Sequence, residues 1–180
     1  MDLFTSRLKI SPIIESDIPD IHKMNSFEEV AEFNTIGIPV NIEETKKILT
    51  PLIEENSSNN KTNFGWTVRI KTSNEFIGEI GMHLAPHKFK MAEIHYSLLP
   101  KHWGNGYAIE SVRRIINFGF DHLQLHRIEA GVATENTNSI KLLEKIGMKR
   151  EGMKRKILPI REEWKDNYHY AILENDKRDY

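Results

Sequence analysis

The chain predicts a single domain, residues 1–180, of the mixed α/β (α+β) class, with one mixed sheet covered by helices. Three observations carry this. Residues 66–84 alternate with a period of two on both sides of a polar turn, the pattern of a β-hairpin. Ile109, Val112, Ile116, Phe120 and Leu123 recur at helical spacing, the clearest apolar stripe in the chain. Around that stripe strands and helices alternate, and no segment repeats internally.

In order along the chain, Leu8, Ile10 and Ile13 alternate with Arg7, Lys9 and Ser11 and give a first strand ending near Pro12. A helix follows, with Asp17 suited to its cap, Pro19 to its first turn, and Ile18, Ile21 and Met24 forming a narrow apolar face. Residues 25–41 have no clean period and read as loop with short helical turns. Asn41 and Glu44 resemble a capping pair for a second helix lined by Ile42, Ile48, Leu49, Leu52 and Ile53, in which Pro51 is expected to introduce a kink. Residues 56–63 are polar and of low complexity, hence a surface loop. In the hairpin, Trp66, Val68 and Ile70 face one way, residues 72–75 turn, and residues 76–84 return.

A strand over residues 92–99 leads into the glycine turn and the striped helix. Ile128, Ala130 and Val132 make the next strand. A short helix over residues 138–146 points Leu142, Leu143 and Ile146 inward, and Gly147 stops it. Residues 153–163 carry no clear period, and Tyr168, Tyr170 and Ile172 alternate in a last strand.

Composition narrows the function classes. A net charge of -1 gives no global attraction to nucleic acid or anionic lipid, although Lys149, Arg150, Lys154, Arg155 and Lys156 form a local basic cluster able to meet a phosphate. The absence of cysteine removes disulfides, thiolate zinc sites and a cysteine nucleophile together. Among the eight histidines, His83 with His87 and His122 with His126 are four apart, but Pro86 breaks the first spacing and neither pair has a third ligand nearby, so no metal site is expected. The start of the chain lacks a signal-peptide pattern and no window is apolar enough to span a bilayer, so the chain reads as a cytoplasmic type.

The segment Trp103-Gly104-Asn105-Gly106-Tyr107-Ala108 opens the striped helix, and Asn136-Thr137-Asn138-Ser139 opens the short one. Glycines let the backbone approach a ligand, and a helix start leaves unpaired N–H groups facing an anion. Two other phosphate motifs fail here. A P-loop needs Gly-Lys-Ser/Thr where the chain has Gly106-Tyr107-Ala108, and a dinucleotide fingerprint needs Gly or Ala where Ile109 stands.

Several further blocks lie in the same order: Ala92-Glu93-Ile94-His95-Tyr96, Leu125-His126-Arg127-Ile128-Glu129-Ala130, Leu143-Glu144-Lys145-Ile146-Gly147-Met148, Arg150-Glu151-Gly152 and Trp164-Lys165-Asp166. With the two helix openings, they make nearly the whole chain resemble the GNAT acetyltransferases, and within them the ribosomal-protein N-terminal (Rim-type) acetyltransferases. The resemblance implies a mostly antiparallel sheet whose central strands splay apart to admit acetyl-CoA as the acetyl donor. Residues near Leu98 and Leu99 and the strand around Val132 would border the pantetheine arm. The amides of Trp103, Gly104, Asn105, Gly106, Tyr107 and Ala108 would receive the pyrophosphate, and the 3′-phosphate could meet the basic cluster. Asn136 matches a family asparagine that bonds the arm or orders the site, and a helix cap would also explain it. The family's Arg or Gln at the start of the glycine turn is Trp103 here, which removes a charge. Its thiolate-protonating tyrosine is Leu143, leaving Ser139 as the group near the sulfur.

An amine attacks a thioester only when unprotonated, so the chemistry needs a proton acceptor, an oxyanion donor and a way to tolerate the thiolate. With no cysteine, direct transfer in a ternary complex is expected. Glu93 matches a strand glutamate that serves as base in some relatives and is the first choice. Glu79 on the neighbouring strand is the second, acting through water, and His95 the third, or else a shaper of the acceptor pocket. Ser139 can hydrogen-bond to the sulfur but is too weak an acid to protonate it. A backbone N–H near Leu98 or Leu99 is the expected oxyanion donor. The acceptor is expected to be a primary amine, foremost a protein or peptide α-amino group. The alternatives are a small-molecule amine such as a polyamine or antibiotic, or a silent acyl-CoA-binding sensor. Neither nucleic acid nor membrane is an expected partner, and the chain should be a monomer or homodimer.

Overall fold

The computed structural model describes every residue except Ser57, Asn59, Asn60, Asp179 and Tyr180. Eight strands form one sheet: β1 (Leu3–Phe4), β2 (Leu8–Pro12), β3 (Asn63–Ile70), β4 (Phe76–Leu84), β5 (Met91–Leu98), β6 (Arg127–Ala133), β7 (Lys149–Ile160) and β8 (Glu163–Leu173). Their order across the sheet is β1-β2-β3-β4-β5-β6-β8-β7, antiparallel throughout except where β5 meets β6. The helices are α1 (Ile18–Asn25), α2 (Glu28–Ala31), α3 (Ile42–Glu55), α4 (Tyr107–Asp121) and α5 (Thr137–Lys145).

Side-chain alternation gives the sheet two unlike faces. Trp66 turns toward α4, where its ring meets Phe118 edge-on at 5.6 Å. Its neighbour Gly65 faces α3 so closely that a Cβ would fall 2.3 Å from Leu52 Cδ2. The α4 face holds the main core, with Val112, Ile115, Ile116, Ile80, Met82, Ile94, Ile128 and Tyr170 all buried. Each such aliphatic side chain contributes about 1.5–3 kcal/mol by leaving water. Gly119 lets α4 settle on this face, since a Cβ there would meet Ile128 Cδ1 at 2.7 Å. On the other face a smaller core of Ile13, Ile18, Ile21, Met24, Leu49, Phe76 and Leu99 seats α1 and α3 at the β2–β4 side. There, register aligns Ser11, Thr67, Glu79 and Ser97 in one row across β2 to β5, a polar stripe on the side away from α4.

Several expectations are revised. Asp17 does not cap α1 through its side chain; its carboxylate accepts from the Ile14 amide at 3.0 Å and pairs with Arg69 at 2.8 Å. In α3, Ile42 and Ile48 are exposed and Thr45 and Leu49 are the buried residues, because the helix meets the sheet along a narrow line. Asn41 does cap α3, accepting from the Glu44 amide at 3.1 Å. The polar segment 56–63 includes Ser57, Asn59 and Asn60, which lie outside the described residues, and its last residue already belongs to β3. Residues 153–160, without period in the sequence, complete β7, a sheet-edge strand whose side chains are nearly all exposed, so no buried face imprints an alternation. The same strand carries the basic cluster. Sheet order sets it two strands beyond β6 and away from the glycine turn, with Lys149 paired to Asp176 and Arg150 stacked over Tyr168.

Candidate active site

The parallel pair β5 and β6 is joined only at Met91–Arg127, Ala92–Ile128 and Glu93–Glu129. Past that apex the strands part, leaving residues 94–98 on one side and 130–133 on the other unpaired with each other. A gap between strands carries unsatisfied backbone groups, which an extended chain with amides can complete as a false strand. The border on β5 has a defined polarity. The Leu99 amide donates to Ile77 O at 2.9 Å, so it is engaged by β4 and is no oxyanion donor. By alternation the Leu98 amide points the other way, toward the gap, while the Leu98 carbonyl accepts from the Trp103 indole at 2.8 Å.

The outer end of the gap is the glycine turn. Gly104 (φ 76°) and Gly106 (φ 77°) both adopt left-handed backbone, which other residues enter only at a cost of about 1 kcal/mol or more. The amides of Gly104, Asn105 and Gly106 make no hydrogen bond among the described residues, and they lead into the amino end of α4. The space above is open: a Cβ on Gly104 would meet nothing within 4 Å, and one on Gly106 only Arg7 Nη2, at 3.5 Å. Trp103 is an exception to the expected cradle, because its amide is taken by Pro100 O at 3.0 Å. The Asn105 side chain braces the turn by donating to the carbonyls of His102 and Trp103.

Sequence reasoning missed Arg7. It comes from the short turn between β1 and β2, donates from Nη1 to Asn105 O at 3.0 Å and stacks over the Tyr107 ring at 4.5 Å. It is held by Glu110, which accepts from the Arg7 amide at 3.0 Å and from Nε at 2.7 Å. Against the desolvation of partial burial, bonds from Thr5, Arg7 and Ser6 keep the Glu110 carboxyl below the usual range, hence ionised. A guanidinium, its charge paired with Glu110, is thus set beside the glycine turn from the far end of the sequence. No local signal could have found it, since 98 residues separate Arg7 from Asn105.

At the head of α5, Asn136 accepts from the Ser139 amide at 3.1 Å, which makes it the helix cap. Leu143 is buried in the core, and Ser139 is half-buried. Tyr96 is the second group the sequence did not single out. Its ring leaves β5 toward α4 and α5, and its hydroxyl is buried beside Ser139 without closing a hydrogen bond. Since Tyr96 starts on one border of the gap and Ser139 follows the other, the phenol reaches across beneath it. Burial pushes the phenol up to about 12, so it stays protonated and able to donate.

The opposite, polar face of the sheet carries all three proposed bases, with Glu79 level with Ser97, four residues along β5 from Glu93. Glu79 is half-buried, with no hydrogen bond or ion pair among the described residues, and burial pushes its carboxyl up to about 7. His95 lies over Gly81, where a Cβ would fall 2.2 Å from the imidazole. His95 is exposed, yet the surrounding protein, and then the neighbouring His83, hold its pKa below the usual imidazole value, which favours the neutral ring. Glu93 is exposed at the apex, opposite Glu129. Glu129 is itself held by Arg127 at 2.6 Å and His169 at 3.2 Å. The open gap, the two-glycine cradle and the orphaned Tyr96 hydroxyl fit an acyl-CoA: an amide-bearing arm, an anionic head and a thioester.

Residues 7–149 match the sequence profile of the acetyltransferase (GNAT) domain. The chain belongs to the GNAT acetyltransferases. A crystal structure of a GNAT-family acetyltransferase from Bacillus anthracis is 32% identical, with a TM-score of 0.84 over 98% of this chain and 100% of that one. Spermidine N-acetyltransferase from Vibrio cholerae, solved with CoA and spermine, is 22% identical with a TM-score of 0.84 over 96% of this chain and 98% of that one. Ribosomal-protein-S5-alanine acetyltransferase from Vibrio fischeri is 24% identical, also at 0.84, over 98% of both chains. At these identities the last two share the fold and do not fix the acceptor. The GNAT fold expected from the sequence is the one observed, and the chain is an acetyl-CoA-dependent N-acetyltransferase. No helix among the described residues is long and apolar enough to cross a membrane.

Proposed function

We propose that this GNAT enzyme transfers acetyl directly to the α-amino group of a protein or peptide N-terminus, with Glu79 taking the amine proton. The observation that carries this is the isolation of Glu79 in the polar row beside the gap, where burial brings its carboxyl to about 7. An α-ammonium has a pKa near 8, so handing its proton to such a carboxylate costs roughly 1.4 kcal/mol; from a lysine- or polyamine-like amine near 10.4 it costs roughly 4.6 kcal/mol. The base is therefore matched to α-amines. Burial also favours Glu79 over Glu93, which is exposed at the apex.

When bound, acetyl-CoA supplies the activated acyl group. The free amides of Gly104, Asn105 and Gly106, with Arg7 and the dipole of α4, hold the pyrophosphate. The Leu98 amide supports the carbonyl oxygen as charge develops on it. Tyr96 and Ser139 donate hydrogen bonds to the departing sulfur, Tyr96 being the stronger acid of the two. Glu79 receives the proton through water and returns it to solvent, while His95, neutral, walls the acceptor side without adding charge.

The test is CoA release with a free-α-amine peptide, with spermidine and with no acceptor, across pH 6–9. The peptide should exceed spermidine in kcat/KM by tenfold or more at pH 7. A preference for spermidine at that pH would overturn the acceptor assignment, and acetyl-CoA binding without amine-dependent release would favour a silent sensor.

A further inference from the structure

Gly131 is the second residue of β6 past the apex, and its backbone is exposed in the gap. Polar atoms from two other strands crowd the point where its side chain would begin. A Cβ there would lie 2.9 Å from Asn167 Nδ2, 3.2 Å from Asn167 Oδ1 and 3.3 Å from Glu93 Oε1. Asn167, on β8, is only 7% exposed, and its Oδ1 is buried with no hydrogen-bond partner. Leaving such an oxygen unsatisfied costs about 1–3 kcal/mol, so a buried orphan in a native cleft points to a partner that arrives from outside. Glu93 makes no ion pair or hydrogen bond among the described residues, while the neighbouring carboxylate Glu129 is already occupied by Arg127 and His169.

Two acceptor oxygens, Glu93 Oε1 and the unsatisfied Asn167 Oδ1, converge on one point beside the donor Asn167 Nδ2, and a side chain at Gly131 would collide with them. What satisfies both is a compact cation with more than one N–H. We propose that Glu93, Asn167 and the bare backbone of Gly131 form the docking subsite for the acceptor's ammonium group, which binds there charged before it is deprotonated. This rests on the amine-acetyltransfer reading and separates capture from proton removal: Glu93 and Asn167 select the ammonium at the apex, and Glu79, level with Ser97 four residues along β5, takes its proton once the amine has left them for the thioester. The glutamate expected from the sequence to be the base becomes an anchor. Placement at the apex suits this, because Glu93 stands exposed on the polar face where β5 and β6 first part.

The experiment measures initial rates with trialanine amide and with ethylamine as acceptors for wild type, Glu93→Gln, Asn167→Leu and Asn167→Asp, each with its melting temperature and its acetyl-CoA KM. Glu93→Gln and Asn167→Leu should each raise the acceptor KM by tenfold or more, with kcat within a few-fold and the acetyl-CoA KM unchanged. Asn167→Asp keeps the shape, adds a charge and should lower the acceptor KM. Ethylamine should follow the same trend as the peptide, since the subsite reads only the ammonium. Unchanged acceptor KM in both neutral variants would overturn the subsite while leaving the acetyltransferase reading intact. A fall in kcat at constant KM in Glu93→Gln would overturn it too, by making Glu93 the base. Loss of acetyl-CoA affinity together with a lowered melting temperature in both would show a merely structural role. If wild type released no CoA with either amine, the acceptor reading itself would fall, and the subsite with it.

Discussion

Replacing Glu79 with glutamine should make the enzyme slower and the fold more stable, and both effects can be sized. A carboxyl raised from 4.5 to about 7 on folding stays protonated in the native state while the unfolded chain ionises. Its contribution to stability is therefore fully present below pH 4.5 and is lost as pH rises through 7. At 1.36 kcal/mol per unit, the ceiling on that loss is about 3 kcal/mol; partial solvent access in the cleft brings the expected figure to roughly 1–2 kcal/mol. Glutamine cannot ionise, so Glu79→Gln should equal wild type near pH 4.5 and pull ahead up to pH 7, reaching a melting-temperature gain of roughly 2–8 °C that stays constant above. Over the same range kcat/KM for an α-amine peptide should fall by roughly a hundredfold, the usual loss for a general base. The pH profile of the variant should keep only the limb of the acceptor amine and lose the limb near 7. Differential scanning fluorimetry and a thiol-release assay on the same samples read both. A variant no more stable than wild type at pH 8, or one with an unaltered pH profile, would refute the claim that Glu79 is a desolvated base.

Three further outcomes follow from the cofactor side. Gly106→Val should fold with a modest loss of stability from its left-handed backbone, because its Cβ meets only Arg7 inside the protein, yet calorimetry should find acetyl-CoA binding abolished. Arg7→Gln should raise the acetyl-CoA KM several-fold with kcat little changed and flatten its salt dependence, since an exposed charge near a phosphate is screened; an unaltered salt dependence would remove Arg7 from the site. Tyr96→Phe deletes an unsatisfied buried hydroxyl and so should be at least as stable as wild type, while kcat drops about tenfold at unchanged acetyl-CoA KM. Wild-type turnover in this variant would leave the sulfur to Ser139 alone.

Local physics made much of the molecule legible in its sequence. Helical spacing of Val112, Ile116 and Phe120 and the period of two at Trp66, Val68 and Ile70 fix α4 and β3 because burial on one face imprints itself on the letters. Gly104, Gly106 and Asn136 could be read in advance because a left-handed turn and a helix cap are properties of a few consecutive residues. β7 could not be read that way: it has no buried face, so nothing constrains its pattern.

Tertiary structure decided everything that depends on convergence. Arg7 reaches the glycine turn because β1 and β2 end beside α4, and no spacing along the chain encodes that. Leu99 is disqualified as an oxyanion donor by a bond to Ile77 on another strand. The order of Glu79 and Glu93 as bases turns on how far each is withdrawn from water, a quantity a sequence position does not possess. Asn167 and Gly131 stood out in no motif; they meet because β8 pairs with β6 and not with β5, which sets a buried amide beside a glycine near the apex of the gap. The sequence determined the elements and the cradle, and packing determined which side chains share the cleft, because proximity across strands is created only when the sheet closes.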